Sequence, residues 1–342
     1  MRPGSPDRVV FETRDVCVGE FRCPTDHPAF HDSGPSSHYC FAFPRTAVII
    51  RHGDARIVAD ATVATLYNRA QEFEREALSP EGDSCEWFGV SPGLLRDALS
   101  ARDWRAAEDE RRPIRFTHAP VGARLYLRQR ETYLRAARGA ADPLWMEEAI
   151  VDLTDRVLSS AYGAPAAPET TSRRVRDLVH DAQCVLARDL AEPLTLAEVA
   201  RTVGASMFHL SRCFRLCTGH TLHDHRTQLR LRASLDDLDA RGGDLSRLAL
   251  DCGFSSHSHF TAAFRRAFGA PPSRVREALA AADAARDDEH AARVEAAHTA
   301  PAGRDQQIDG AVGIHVAERD GVEPERVARR AAGVGLEQTR VP

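Results

Sequence analysis

The side chains with chemistry to offer gather in two stretches of this sequence. The first is N-terminal, where His27, His31, His38 and His52 lie among Cys17, Cys23, Cys40 and Cys85. Imidazole and thiolate are transition-metal ligands, and an activated thiol is a redox or nucleophilic group. No tight pair such as His-x-His occurs in that region. The expectation is therefore no metal and no cofactor, with these residues serving the surface or core of a binding barrel. Cys85-Glu86-Trp87-Phe88 reads as a strand packing its apolar side chains rather than as a redox element. Glu72, Glu74, Arg75 and Glu76 read as a solvated strand edge rather than a polar ligand site.

The second stretch runs from Asp251 to Arg276 and organises the rest of the chain. Gly253 can take the left-handed conformation that ends a helix, and Ser255 and Ser256 are candidate N-caps for the next. Phe260, Phe264 and Phe268 recur at four-residue steps and define one apolar face. Gly269 ends that helix, and Pro271-Pro272 prevents its continuation. A helix, a glycine turn and a short helix with a polar, Arg-ending outer face is the layout of a helix-turn-helix.

That layout occurs twice. Thr195 and Glu198 have the spacing of a capping box for a helix over 196–203, Gly204 is its turn, and Ser206 caps a helix that turns Leu210 and Phe214 inward before Gly219. Ala200 matches Ala249, Gly204 matches Gly253, Ser206 matches Ser255, Phe214 matches Phe264 and Gly219 matches Gly269, an offset of 49 that rises to 50 near Ser255-Ser256. A long helix from Thr221 to about Ala240 joins the two halves, and another from Ser172 to about Leu190 precedes them. Two such units can enter successive major-groove faces, about 34 Å apart.

Charge agrees with this division. The 342 residues carry a net charge of −5. Residues 173–276 hold 16 Arg against 11 acidic residues, and the remainder 29 against 39. Positive charge is thus concentrated in one segment, as expected where one region meets phosphate and another does not. Lysine is absent, so every cation is Arg.

The elements that surround these motifs follow in order. Residues 1–91 read as short strands, Arg8–Thr13, His38–Phe43, Ala47–Ile50 and Val63–Tyr67 among them, broken by Pro and Gly, which suggests a small β-barrel or sandwich whose mouth can hold a small ligand. Residues 92–162 read as helices: one from Leu94 toward Glu110, one from Gly122 to Arg138, and one starting at Pro143. In the last, Met146, Ile150, Leu153 and Val157 form a short a/d seam, readable as core or as a dimer interface. Residues 163–171 are Pro-rich and form a linker. Residues 280–342 are poor in large apolar residues and read as disordered. Met1 to Val10 lacks an apolar run, no stretch reaches membrane-span length, and eight scattered Cys suit a reducing cytoplasm.

The segment 172–279 resembles the DNA-binding domain of the AraC/XylS family of transcription regulators. The likeness rests on Leu196-Ala-x-Val-Ala200, Ser206-x-x-x-Leu-Ser-Arg212-x-Phe214, Ala249-x-x-Cys-Gly-Phe254-x-Ser, Phe260-x-x-x-Phe264 and Gly269-x-x-Pro272-x-x-x-Arg276. Residues 1–91 are more loosely similar to the cupin-like sensor barrels of such proteins, and 92–162 to their helical dimerisation element. The resemblance implies an α+β chain: a β-barrel, then an all-α domain with two helix-turn-helix units. It implies DNA-facing positions at Phe208, His209, Ser211, Arg212 and Arg215 in the first unit, and at His257, Ser258, Thr261 and Ala262 in the second, with Arg265 and Arg266 nearer the backbone. Double-stranded DNA is the implied partner, with a small-molecule effector, RNA polymerase and a second copy of the chain as further ones. Ala262 stands where many members carry Arg, which weakens the expected grip of the second unit.

The expectation is therefore a sequence-specific regulator and not an enzyme. The rival is a cupin-type metal-dependent oxygenase or a DNA-repair alkyltransferase carrying the same DNA-binding module. The first needs a convergent His/carboxylate site and the second an activated Cys, and the sequence shows neither.

Overall fold

The structure, a computed structural model, describes residues 5–31, 36–139, 142–164, 172–240 and 244–280. Most of the linker and all but residue 280 of the C-terminal stretch lie outside the described residues, so the expectations for them fall there too.

The N-terminal region forms two antiparallel sheets. Strands β1 (Asp7–Glu12), β2 (Val16–Cys23), β3 (Tyr39–Pro44), β6 (Val63–Tyr67), β8 (Asp83–Val90) and β9 (His118–Pro120) build a six-stranded sheet in the order β1-β2-β8-β3-β6-β9. Strands β4 (Val48–His52), β5 (Ala55–Ala59) and β7 (Glu74–Ala77) build a second in the order β5-β4-β7. Strand β8 is bonded on both sides, with Phe88 opposite Val18 and Phe41. Side chains alternate along it, so Cys85 and Trp87 share one face and Glu86 and Phe88 the other. Glycine at position 19 is required by close approach, because a Cβ there would meet the Trp87 ring at 2.3 Å. Arg75 departs from the solvated edge expected for it. Its guanidinium pairs with Asp83 at 3.0 Å and lies over the rings of Phe21 and Phe73 at 4.3 and 5.2 Å.

Four helices share a core with the larger sheet. The helix expected from Leu94 toward Glu110 is broken into α1 (Pro92–Ser100) and α2 (Trp104–Ala107), because Asp103 accepts a hydrogen bond from Ala106 N and starts a new helix. In α3 (Ala123–Arg138) Gly139 closes the helix at φ 65°. In α4 (Pro143–Gly163) the seam residues Met146, Ile150, Leu153 and Val157 are 0–1% exposed and packed inside the chain's own core. The core reading of the seam therefore holds, and those four side chains offer nothing to a second copy.

Six more helices follow: α5 (Arg173–Arg188), α6 (Leu196–Thr202), α7 (Met207–Thr218), α8 (Leu222–Ala240), α9 (Leu245–Asp251) and α10 (His257–Phe268), with residues 272–280 again helical. They do not share one core. Val179, Ala182, Leu186, Val199, Ala200, Leu210, Cys213, Phe214 and Leu222 pack as a separate cluster that unites α5, α6 and α7. The residues of α9, α10 and the second half of α8 instead join the main core of the sheet and α1–α4.

Candidate nucleic-acid interface

Each unit is built by local backbone chemistry. At the start of α6 the Thr195 hydroxyl accepts from Glu198 N at 3.2 Å while Thr195 N donates to the Glu198 carboxylate at 2.7 Å. Gly204 then turns the chain at φ 67°, and Ala205 N donates back to Ala200 O at 2.9 Å. In the second unit Asp244 caps α9, Gly253 turns at φ 76°, and Phe254 N donates to Ala249 O at the same 2.9 Å. Ser206 caps α7 through His209 N, and Ser256, rather than Ser255, caps α10 through His259 N, both at 3.2 Å. The change of offset from 49 to 50 therefore falls between the turn and the cap. Both helices close alike, with Gly219 and Gly269 left-handed and donating to Arg215 O and Arg265 O.

These caps fix which face of each helix looks outward. In α7, Leu210, Cys213 and Phe214 are buried, and Phe208 (77% exposed), His209, Arg212 and Arg215 are exposed, with Ser211 half-buried. In α10, Phe260, Ala263, Phe264 and Phe268 are buried, and His257, Ser258, Ala262, Arg265 and Arg266 are exposed, with Thr261 half-buried. The positions named from the sequence thus fall into two groups, one on each outer face. Among the described residues, the guanidiniums of Arg212, Arg215, Arg265 and Arg266 form no ion pair within the chain. Other outward side chains are pre-set by neighbours. Thr261 Oγ1 and His257 Nε2 lie 3.2 Å apart, and the His209 ring rests 3.7 Å from Cys213 Sγ.

Helix α8 carries buried polar contacts that its sequence does not announce. His225 Nε2 is 3.1 Å from Asp60 Oδ2, and these two side chains are 4% and 2% exposed. Burial alone would raise the Asp60 carboxyl, but hydrogen bonds from His225 and Thr62 bring it below its ordinary value. Arg232 donates to Val121 O at 2.7 Å, and burial lowers its guanidinium to about 10. Asp236 accepts from Arg45 at 2.8 Å and Arg130 at 3.2 Å, and both of these arginines also pair with buried Glu86. The only sequence signal was spacing: 225, 229, 232 and 236 repeat at four, three and four.

A cavity of about 210 Å³ opens in the N-terminal region, walled by Phe21, Tyr67, Phe73 and Trp87, with Asp7, Arg75 and Asp83 as charged lining. Asp7 accepts from Trp87 Nε1 at 2.8 Å. Burial raises the Asp83 carboxyl against the opposing pull of Arg75 and lowers His52 to about 4. Of the four N-terminal histidines, His38 stacks on Trp87 and His52 contacts Tyr67 and Phe73. Among the described residues no group of three or more His, Cys, Asp or Glu is placed to hold a metal ion. No described helix is long and apolar enough to cross a membrane.

A helix-turn-helix domain model matches residues 199–278. The regulatory protein SoxS of Escherichia coli K12 is 31% identical over 102 residues, which are 30% of this chain and 95% of SoxS. The chain belongs to the AraC/XylS family. It is a helix-turn-helix DNA-binding transcription regulator. The AraC/XylS match extends to the transcriptional regulator ArgR of Pseudomonas aeruginosa, 33% identical over 88 residues, or 26% of this chain and 27% of ArgR. Among solved structures, a regulator from Chromobacterium violaceum described by its AraC-type DNA-binding domain is 28% identical and covers 31% of this chain and 94% of its own, with a TM-score of 0.29. ToxT from Vibrio cholerae covers 78% of this chain and 99% of its own at 12% identity and a TM-score of 0.33.

Proposed function

We propose that this regulator reads two successive major-groove segments of double-stranded DNA, one with each unit, under the control of a small effector held by the N-terminal sheets. The observation that carries the DNA reading is the pair of outer faces, each with exposed arginines that form no ion pair among the described residues. Phe208, His209, Ser211, Arg212 and Arg215 are assigned to the first segment, and His257, Ser258, Thr261, Arg265 and Arg266 to the second. Residues 172–279 act as the DNA-binding region, residues 1–91 as the cupin-like sensing region and residues 92–162 as a separate helical element. Arg212, near the middle of the α7 outer face, is the base reader, because a guanidinium can donate twice to one guanine. Ala262 contributes no charge, so the second unit supplies chiefly phosphate contacts through Arg265 and Arg266. The protein acts by binding rather than by catalysis, and it works in the cytoplasm, where its DNA is.

The effector reading rests on the aromatic cavity with its buried Arg75–Asp83 pair, a mix of apolar wall and a few fixed polar groups that suits a small organic molecule. Arg212→Ala should weaken binding to the duplex that the chain selects from a random-sequence pool by about 1–3 kcal/mol and relax preference at one base pair. Affinity should fall steeply with salt. Fluorescence anisotropy at several salt concentrations tests both. Equal loss on selected and random duplexes would reassign Arg212 to phosphate.

A further inference from the structure

Helix α8 is gripped from two sides. One side is the stripe of His225, Leu229, Arg232 and Asp236, spaced as neighbours on one face of a helix. Each of its three polar members is held by the N-terminal region: His225 by Asp60, Arg232 by the Val121 carbonyl, Asp236 by Arg45 and Arg130. On the other side Arg226 donates to the carbonyls of Asp189 and Glu192, and Arg230 donates to that of Leu190 at 2.6 Å. Those carbonyls lie between α5 and α6, so the two arginines hold the first unit to α8.

His225 is the point where the two grips meet. Its ring stands edge-on to Phe214 at 5.6 Å and 76°. Phe214 is the fully buried anchor of α7. On its other side His225 meets Asp60, whose carboxylate is oriented by Thr62 N at 2.8 Å and Thr62 Oγ1 at 2.6 Å. The order Asp60, His225, Phe214 therefore runs from a turn of the N-terminal sheets to the inner face of a DNA-reading helix. The first unit has smaller apolar ties besides. Its cluster contains no N-terminal residue, but Cys184 of α5 packs with Ile49 and Val58, and Ala187 and Leu190 pack against the edge of the main core.

We infer that Asp60 and His225 are positioning residues for DNA reading: they set where the first recognition helix stands relative to the second, without touching DNA. The second helix needs no such device, because Phe260, Phe264 and Phe268 already lie in the core shared with the N-terminal region. Two reading heads on one chain gain affinity over either alone only if their spacing matches that of the two DNA segments. Loosening the Asp60–His225 contact keeps each head folded and spends part of that gain. The inference rests on the proposal that both units contact DNA.

Two variants test it. Asp60→Asn keeps an oxygen for the Thr62 bonds and removes the charge that faces His225. His225→Phe keeps a ring against Phe214 and removes the hydrogen bond to Asp60. Each is compared with the parent full-length chain on the duplex the parent selects from a random-sequence pool, and on the same duplex with either half scrambled. Both variants should lose about tenfold in affinity on the intact duplex and stay within about twofold of the parent on the half-scrambled ones. A merely structural role would lower all three alike, and that result would overturn the inference, as would an unchanged ratio between intact and scrambled duplexes. A parent chain that selects no duplex would remove the DNA-reading proposal itself, and the inference with it.

Discussion

The two helix-turn-helix units are alike in their turns and unlike in their foundations. Ala205 N to Ala200 O and Phe254 N to Ala249 O are the same bond in two places, and the recognition helices start and stop on the same residue types. Yet the first unit stands on its own small core, while the second is part of the core of the sheet and α1–α4. The aromatic ladder Phe254, Phe260, Phe264 and Phe268, with successive ring separations of 5.2, 5.5 and 4.4 Å, anchors the second unit. A single buried phenylalanine, Phe214, serves the first. One motif thus plays two mechanical parts: a head built into the body, and a second head with its own core, held to the body by polar contacts through α8 and by a few apolar contacts of α5. The lesson is that a repeated sequence pattern specifies the reading surface but not what that surface is mounted on.

The largest expected effect separates the two cores. Phe264→Ala and Phe214→Ala should each cost about 3–5 kcal/mol, since both remove a fully buried ring. Hydrogen exchange should distinguish them. Loss of Phe264 should lower protection across α3 and α4 as well as α10, whereas loss of Phe214 should lower it in α5–α7 and leave α3 and α4 protected. Identical exchange patterns would erase the distinction drawn between the units.

A smaller effect sharpens the comparison at the turns. Gly204 and Gly253 both have left-handed backbones, which a side chain tolerates at a cost of about 1–2 kcal/mol. A Cβ at Gly204 meets nothing within 4 Å, while one at Gly253 meets the Arg230 guanidinium at 2.6 Å and Ala191 O at 2.8 Å. Gly204→Ala should therefore pay the backbone cost alone. Gly253→Ala should cost clearly more and also disturb the Arg230 grip on the first unit. Equal midpoints in urea denaturation would contradict this.

The smallest effect is on pH. The Asp60 carboxyl is held below its ordinary value in the folded chain, so its contribution is present above the usual carboxylate range and lost as pH falls through its lowered value. The parent should lose stability on acidification more steeply than Asp60→Asn. Parallel acid limbs in thermal melts would show that Asp60 contributes nothing through its charge.

Much of the DNA-reading region was legible in the sequence, because caps and glycine turns are local. Thr195, Ser206, Gly204, Gly219, Gly253 and Gly269 do in the structure what their types and spacing imply. Of the two candidate caps, Ser255 and Ser256, it is Ser256 that caps α10, since two adjacent serines are chemically equal and only the helix start decides between them. The N-terminal strands were legible where branched and aromatic residues run together, as in Val63–Tyr67. They were less so at Val16–Cys23, where Gly19 and Glu20 interrupt the pattern for reasons that lie elsewhere: Trp87 over the glycine, and Arg8, Arg22 and Tyr133 around the carboxylate. The α1–α2 break was missed because Asp103 could equally have sat on a helix surface. The grip on α8 was illegible for a plainer reason. His225 and Asp60 are 165 positions apart, and nothing near either one marks the other as its partner.

The central claim is that two mounted heads read two adjacent segments of DNA. The most direct test is hydroxyl-radical footprinting of the full chain on its selected duplex, alongside Arg212→Ala and the double variant Arg265→Ala/Arg266→Ala. The account predicts two protected segments with centres about one helical turn, or about 34 Å, apart, one weakened by the first variant and the other by the second. A single protected segment, or two segments that both variants weaken equally, would contradict it.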